Sequence, residues 1–443
     1  MNLFRDPTNR SGPSTWEAGH FPQGQAAYPV SGVSWYEAAA YAAFVGKSLP
    51  AIGQWYKAAP PNLAPFSINQ SNFGGSGPVQ VGTFPGVGPY GTYDMAGNVR
   101  EWCLTALRDG RFILGGAWRT QTYSAMYPEV LPPFDRSPLN GFRTVRNHGV
   151  LSPAAAAPLV GRARDFSKAK PSSDDVFQAY KTMYAYDRTP LNAKSEGIVE
   201  DTAAWTKEKI TIDAGYEGQR LPVYLFLPKN VHPPFQTLLF FPSARVQFMS
   251  NSQNLGDMQF VDYAIKSGRA LLYPIYQGTY ERVAPKQARP GEIEDLQLVI
   301  QMSKEVRRSV DYLATRPEID ASKLAYLGVS MGTAYGAIFT ALEDRFRTLV
   351  FLDGGFFLGP AQRGRDQVDF AARITKPVLM VNGKYDFTFS PQRSQEPFFR
   401  MLGTPEADKR RVVLDTPHDI SQQKEELSRE VLAWLDKYLG PVN

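Results

Sequence analysis

The segment Lys323-Leu-Ala-Tyr-Leu-Gly-Val-Ser330-Met-Gly-Thr-Ala-Tyr-Gly336 decides the fold of this chain. Its apolar run at 324–329 is typical of a buried strand, and the small residues after Ser330 are typical of a closely packed helix. Between them stands a G-x-S-x-G pattern, which in a strand–turn–helix context predicts a nucleophile elbow. Gly328 and Gly332 keep Cβ atoms out of the bend, so the Ser330 hydroxyl should project from the strand end. The alternative interpretation is a chance glycine-serine turn.

Apolar runs and helical segments alternate around this elbow from about residue 205 onward. An antiparallel pair is predicted first, at 210–212 and 222–228. Further strands are predicted at 237–241, 270–273, 324–329, 348–352, 377–381 and 412–414, with helices at 293–313, 333–342 and 428–438. This alternation predicts an α/β fold with a mainly parallel sheet that is covered on both faces. Ligands bind such sheets beyond the carboxyl ends of the strands, where Ser330 should lie.

A serine hydroxyl needs an adjacent base to act as a nucleophile, and the base is itself oriented by a carboxylate. In folds with this elbow the acid and then the histidine follow the serine in chain order. His418 is the one histidine downstream of Ser330, and it follows a predicted strand. Asp386, just past the penultimate strand, is the predicted acid, and Asp353 at the end of the strand before it is the alternative.

The oxyanion formed by attack on a carbonyl needs fixed N–H donors. One is predicted to be the amide of Met331, and the other an amide in the loop after 237–241, where small Ser243 and Ala244 allow a close approach. Arg245, in the same loop, would bind an anionic substrate group or form a surface ion pair. Aromatic residues near strand ends are either pocket-lining or core residues: Tyr276, Tyr280, Phe356, Phe357 and Phe387.

These features resemble the α/β-hydrolase superfamily, closest to its dienelactone hydrolase and acetyl-xylan-esterase-like branches. The resemblance covers residues 172–443. It implies a serine carboxylic-ester hydrolase that forms an acyl-enzyme with small or short-chain esters and needs no cofactor for catalysis. A serine peptidase or amidase of the prolyl-oligopeptidase type is one alternative, and a non-catalytic binding or scaffold protein is the other.

The first third of the chain carries different motifs. Six blocks follow one order, at 28–38, 46–50, 54–55, 91–102 (G-T-Y-D-M-A-G-N-V-R-E-W), 114–118 (L-G-G-A-W) and 141–143. They resemble the formylglycine-generating enzyme (sulfatase-modifying factor) family, whose fold is related to C-type lectins. The resemblance implies an irregular α+β domain over 1–150 that is truncated at its N-terminal side. Residues 273–282 also resemble hydrolase domains fused behind such modules, often downstream of a bacterial protein kinase domain, although no kinase signature is present.

Oxidase activity is not expected of this first domain. Active family members use a cysteine pair beyond the Gly-Gly-x-Trp block, and Trp118-Arg-Thr-Gln-Thr-Tyr contains none. Cys103 stands alone elsewhere and is predicted to be a small buried apolar side chain. We therefore expect a non-catalytic module for packing or recognition.

A structural calcium ion is one expectation for this domain. Carboxylates combined with backbone carbonyls suit hard cations such as Ca²⁺, and the resemblance implies ligands at Asp94, Gly97, Val99 and Glu101. The alternative is that Asp94 caps a turn and Glu101 pairs with a surface arginine.

Composition argues against several other classes of protein. The net charge of +5 is spread among nearly equal numbers of basic and acidic residues, which argues against nucleic acid as a partner. No run approaches the roughly 20 apolar residues of a membrane span. A single cysteine and the lack of an apolar leader predict a cytoplasmic protein. Residues 151–171 are rich in proline and alanine and are predicted to be a linker.

Overall fold

Short strands and short helices form the first of two compact units, Met1–Arg162 and Ala163–Asn443. The computed structural model describes residues 4–60, 68–107, 110–120, 122–125, 128–158, 164–282, 293–384, 386 and 388–442. In the first unit the sheet has the order β3-β2-β1-β4, with strands β1 (Arg100–Leu107), β2 (Gly110–Leu114), β3 (Glu129–Leu131) and β4 (Asn140–Gly141). Its helices are Trp35–Phe44, Ile52–Ala58 and the short Pro153–Ala156.

A capping box begins the helix Trp35–Phe44. Ser34 accepts a hydrogen bond from the Glu37 amide, and the Glu37 carboxylate accepts one from the Ser34 amide, so both ends of a capping box are present. The core behind this helix contains Trp102, which is fully buried and donates its indole N–H to the Val33 carbonyl. The first unit is therefore an irregular α+β domain in which loops and buried aromatic side chains form much of the structure.

A nine-stranded sheet organises the second unit. Its order is β13-β12-β11-β10-β8-β9-β7-β6-β5. The strands are β5 (Lys194–Asp201), β6 (Trp205–Asp213), β7 (Arg220–Pro228), β8 (Phe235–Phe241), β9 (Ala270–Pro274), β10 (Ile319–Val329), β11 (Thr348–Leu352), β12 (Val378–Gly383) and β13 (Lys409–Leu414). Six neighbouring strands run parallel, in the order β13, β12, β11, β10, β8 and β9, and β7, β6 and β5 continue the sheet antiparallel.

Helices cover both faces of this sheet, as the apolar strands predict. They are Asp174–Met183, Asp262–Lys266, Ile293–Leu313, Met331–Leu342, Gln367–Ala371, Glu396–Met401 and Lys424–Leu439. Every residue of β8 is buried: Leu239 and Phe241 point into one core, and Leu238 and Phe240 point into the other. The exchange of β8 and β9 in the strand order, together with the elbow after β10, is the α/β-hydrolase arrangement.

Two features differ from expectation. The sequence predicts a linker over 151–171, yet residues 164–171 pack in the second unit. There Arg164 forms an ion pair with Asp366 at 2.7 Å, and Phe166 stacks on Phe356 with ring centroids 4.6 Å apart. Strand β5 was not predicted, because it is an edge strand with an almost wholly exposed surface and therefore lacks an apolar pattern. Among the described residues, no helix combines the length and apolar character needed to cross a lipid bilayer.

Candidate active site

The turn between β10 and the helix Met331–Leu342 holds Ser330 in a strained conformation. Its φ of 53° and ψ of −103° lie outside the regions that side-chain-bearing residues favour. The Ser330 amide donates to the Leu352 carbonyl of β11 at 2.8 Å, which ties the turn to the neighbouring strand. A Cβ on Gly328 would lie 2.4 Å from the Gly332 carbonyl oxygen, and a Cβ on Gly332 would lie 2.2 Å from the Phe241 carbonyl oxygen. Only glycine fits at either position.

Ser330, His418 and Asp386 form a continuous chain of hydrogen bonds. The Ser330 hydroxyl lies 3.0 Å from Nε2 of His418, and Nδ1 of His418 lies 2.9 Å from an oxygen of Asp386. With the proton on Nδ1 held by the carboxylate, Nε2 is free to accept the serine proton. Three residues predicted from separate strand ends are thus brought together by the fold.

Asp386 is fully buried, and its remaining hydrogen-bond capacity is satisfied. One oxygen accepts from the Phe389 amide at 2.9 Å, and the other lies 3.4 Å from the amide nitrogen of Gln395. Burial acts to lower the pKa of His418, but the charge and the hydrogen bond of Asp386 raise it to about 9. The arrangement therefore stabilises an imidazolium next to Ser330.

The predicted oxyanion donors differ in whether their amide N–H already has a hydrogen-bond acceptor in the protein. The Ser243 amide donates to a carboxylate oxygen of Asp257 at 2.8 Å, so it is not available to a substrate. Ala244 and Met331 each begin a helix, Ala244–Phe248 and Met331–Leu342, and the first amides of a helix have no partner within it. Ala244 and Met331 therefore remain the candidates for the two oxyanion donors.

Asp257 is a residue that the sequence did not single out. It is buried, and its backbone has a φ of 62°. Burial raises its pKa, while the hydrogen bond from Ser243 lowers it. It lies in a loop with no apolar periodicity or motif, so no sequence signal pointed to its contact with the oxyanion loop.

The aromatic pocket prediction is wrong for three residues. Tyr276, Tyr280 and Phe356 are all fully buried core side chains. The Tyr276 hydroxyl donates to the Phe240 carbonyl, and the Tyr280 hydroxyl accepts from the Gly256 amide. These three side chains are part of the core and expose no surface to a substrate.

The other residues of that set differ. Phe387 lies outside the described residues, and Arg245 is half-buried in the oxyanion loop. Phe357 is 41% exposed, and its ring centroid lies 5.8 Å from that of Phe389. Phe389 is buried and in turn lies with its ring centroid 5.9 Å from that of His418.

Asp353, the alternative acid, lies beside the same histidine. Carboxylate oxygens of Asp353 and Asp386 and a ring nitrogen of His418 are all within 4.8 Å of one another. Asp386 is the residue that makes the hydrogen bond to His418. Asp353 instead accepts from the Ile420 amide at 3.0 Å.

The expected calcium ligands in the first unit do not fit a cation. Both oxygens of Glu101 accept hydrogen bonds from Arg143, at 2.5 and 2.6 Å, and one also accepts from the indole N–H of Trp55 at 2.8 Å. Asp94 accepts from the Gly82 amide. A guanidinium thus already neutralises Glu101, which favours the ion-pair alternative for that residue, and ligation of calcium at Gly97 and Val99 stays a prediction.

A family model, the sulfatase-modifying factor enzyme 1-like domain, matches residues 7–148. Over 88 residues the chain is 42% identical to serine/threonine-protein kinase pkn1 of Chlamydia caviae, covering 18% of this chain and 14% of that protein. Over 116 residues it is 34% identical to inactive C-alpha-formylglycine-generating enzyme 2 of Bos taurus, covering 20% of this chain and 38% of that protein. The chain thus spans less than two fifths of the length of these curated relatives.

Solved structures resemble the chain over a larger share of its length. An acetyl xylan esterase from a Paenibacillus species aligns with a TM-score of 0.49 and 18% identity, covering 62% of this chain and 98% of that one. Acetyl xylan esterase 1 from a Thermoanaerobacterium species aligns with a TM-score of 0.48 and 16% identity, covering 61% and 96%. Residues 7–148 are thus similar to the sulfatase-modifying factor enzyme 1-like domain, and the second unit has the strand order and the elbow of an α/β-hydrolase fold.

Proposed function

We propose that the second unit is a serine carboxylic-ester hydrolase that acts on small or short-chain esters through an acyl-enzyme. The observation that carries this proposal is the chain of hydrogen bonds from Ser330 through His418 to Asp386 at the carboxyl ends of parallel strands. Each of the three side chains follows a different strand, yet each lies within hydrogen-bond distance of the next. This geometry supports the roles of nucleophile, base and orienting acid.

The reaction follows from the positions of the donors and acceptors. The Ser330 oxygen attacks the ester carbonyl carbon, and its proton passes to Nε2 of His418. The amides of Met331 and Ala244 donate hydrogen bonds to the oxyanion that forms. Collapse of this intermediate breaks the bond to the alcohol, which leaves with the proton from His418. Water then attacks the acyl-serine with His418 as base, and the acid and free serine are released.

The surroundings of the histidine fit a small ester. Phe389 is buried beside His418, and the exposed ring of Phe357, which packs on Phe389, offers apolar contact to an acyl or alcohol group. Because His418 protonates the departing alcohol oxygen, the proposed mechanism needs no cofactor or metal ion beyond the three side chains and the two amides.

The first unit is proposed to be non-catalytic. Cys103, the one cysteine of the chain, is fully buried, and burial raises the pKa of its thiol well above the usual value. A buried neutral thiol without a partner cysteine does not supply the redox pair of active family members.

Replacement of the nucleophile tests the proposal. Ser330→Ala should lower turnover of a short-chain p-nitrophenyl ester by about 10⁴-fold or more. Ser322→Ala, at an exposed serine on the same strand, is the matched control and should keep wild-type turnover. Wild-type turnover in Ser330→Ala would contradict the assignment. A matched anilide should be hydrolysed far more slowly than the ester, and a preference for the anilide would instead indicate an amidase.

A further inference from the structure

A second buried carboxyl group faces the histidine of the proposed site. Asp353 follows β11, is 1% exposed and has a left-handed φ of 48°, a conformation that is strained for a residue with a side chain. One of its oxygens accepts from the amide of Ile420, two residues after His418, at 3.0 Å. Asp353 therefore holds the loop that carries the histidine.

The other oxygen of Asp353 has no such role. It is buried and has no hydrogen-bond partner within the described part of the chain. The carboxyl group lies within 4.8 Å of the Asp386–His418 pair. An unpaired buried oxygen is costly, so its persistence beside a catalytic pair calls for a reason.

Charge decides which of the two carboxyls carries the proton. Two buried carboxylates this close do not both ionise readily. Asp386 receives hydrogen bonds from the Phe389 amide and from His418, so it holds the negative charge. Burial, and then the charge of Asp386, raise the pKa of Asp353 well above the usual range, against the opposing effect of His418; Asp419 is the other charged group near it.

We propose that Asp353 is a reserve positioning acid for His418, protonated while Asp386 is ionised and able to orient the imidazole when the Asp386 charge is removed. The proposal rests on the hydrolase function proposed above. In an Asp386→Asn variant the Asp353 proton is released to solvent, so the cluster keeps one negative charge. A side-chain rotation then brings the free oxygen of Asp353 towards the histidine.

A double-mutant cycle tests this role with the full chain and a p-nitrophenyl ester. Where a single acid orients the histidine, its replacement by asparagine lowers kcat by about 10⁴-fold. Asp386→Asn should therefore lose clearly less, about 10²-fold, and Asp353→Asn should lose less than about tenfold because asparagine still accepts from Ile420. The combined variant should lose the full 10⁴-fold, more than the product of the two single losses.

The outcomes separate the two proposals. A full loss in Asp386→Asn alone, or a double variant equal to the product of the single variants, overturns the reserve role. A wild-type protein that neither hydrolyses esters nor reacts with a fluorophosphonate at Ser330 overturns the hydrolase function itself. Thermal melts identify variants that do not fold. If the double variant is one of them, the size of the loss in Asp386→Asn decides.

Discussion

Gly332 lies where the elbow closely approaches Phe241, the last residue of β8 before the oxyanion loop. A Cβ at this position would lie 2.2 Å from the Phe241 carbonyl oxygen and 2.8 Å from its carbonyl carbon, whereas ordinary contact begins at 3.4 Å. Both neighbouring atoms belong to the backbone, so no side chain can rotate away. Gly332→Ala therefore forces a shift of roughly 1 Å between the helix Met331–Leu342 and the end of β8.

The cost of this shift has a thermodynamic part and a kinetic part. Overpacking of a well-packed interior destabilises by about 1–3 kcal/mol, which in a domain of this size lowers Tm by roughly 3–10 °C. Phe241 leads through one proline to the loop with Ala244, so the shift also displaces an oxyanion donor. A misplacement of about 1 Å lowers turnover by roughly 10²-fold.

Calorimetry and p-nitrophenyl ester turnover measure the two effects in parallel. Gly359→Ala is the matched control, because a Cβ there meets nothing within 4 Å and the glycine has no left-handed φ. If Gly332→Ala and Gly359→Ala had the same Tm and the same kcat, the close approach of elbow and oxyanion loop would be refuted.

Three further predictions concern other parts of the chain. Asp257→Leu leaves the buried Ser243 amide unpaired, which costs about 1–3 kcal/mol; kcat should fall with little change in KM, and an unchanged kcat would show that the loop needs no anchor. The kcat/KM of the wild type should rise with pH and level off above about 9, because only neutral His418 accepts the serine proton; a midpoint near the ordinary value of 6.5 would contradict the Asp386 effect. Since the pKa of His418 is raised in the folded state, its stabilising contribution is complete below pH 6.5 and is lost as the pH rises through 9. Calcium and EDTA should leave the Tm of the first unit unchanged, because Arg143 already pairs with Glu101; a Tm that rises with calcium concentration would reveal a site.

The sheet and the elbow were predictable because their signals are local. Apolar strands that are buried on both faces stand out as continuous runs, and the G-x-S-x-G pattern needs only five residues. His418 and Asp386 could be chosen because few residues of the right type follow Ser330 at strand ends. Chain order and strand position thus placed three side chains near one another before any distance was known.

Other contacts had no local signal. The Asp257 carboxylate reaches the Ser243 amide 14 residues away, across loops without a pattern. Tyr276 and Tyr280 occur at strand ends, where composition alone does not distinguish a pocket wall from a core side chain with a bonded hydroxyl. Strand β5 pairs at an exposed edge of the sheet, and its side chains face solvent. Its sequence therefore lacks the alternation of apolar and polar residues that predicts a half-buried strand.

The nucleophilic role of Ser330 is the central claim, and labelling with a fluorophosphonate tests it most directly. The reagent should modify the folded wild-type chain once, and peptide mass mapping should place the adduct on Ser330, with matching loss of esterase activity. The Ser330→Ala variant should remain unlabelled. An adduct on another residue, or ester hydrolysis that continues after Ser330 is modified, would contradict the account.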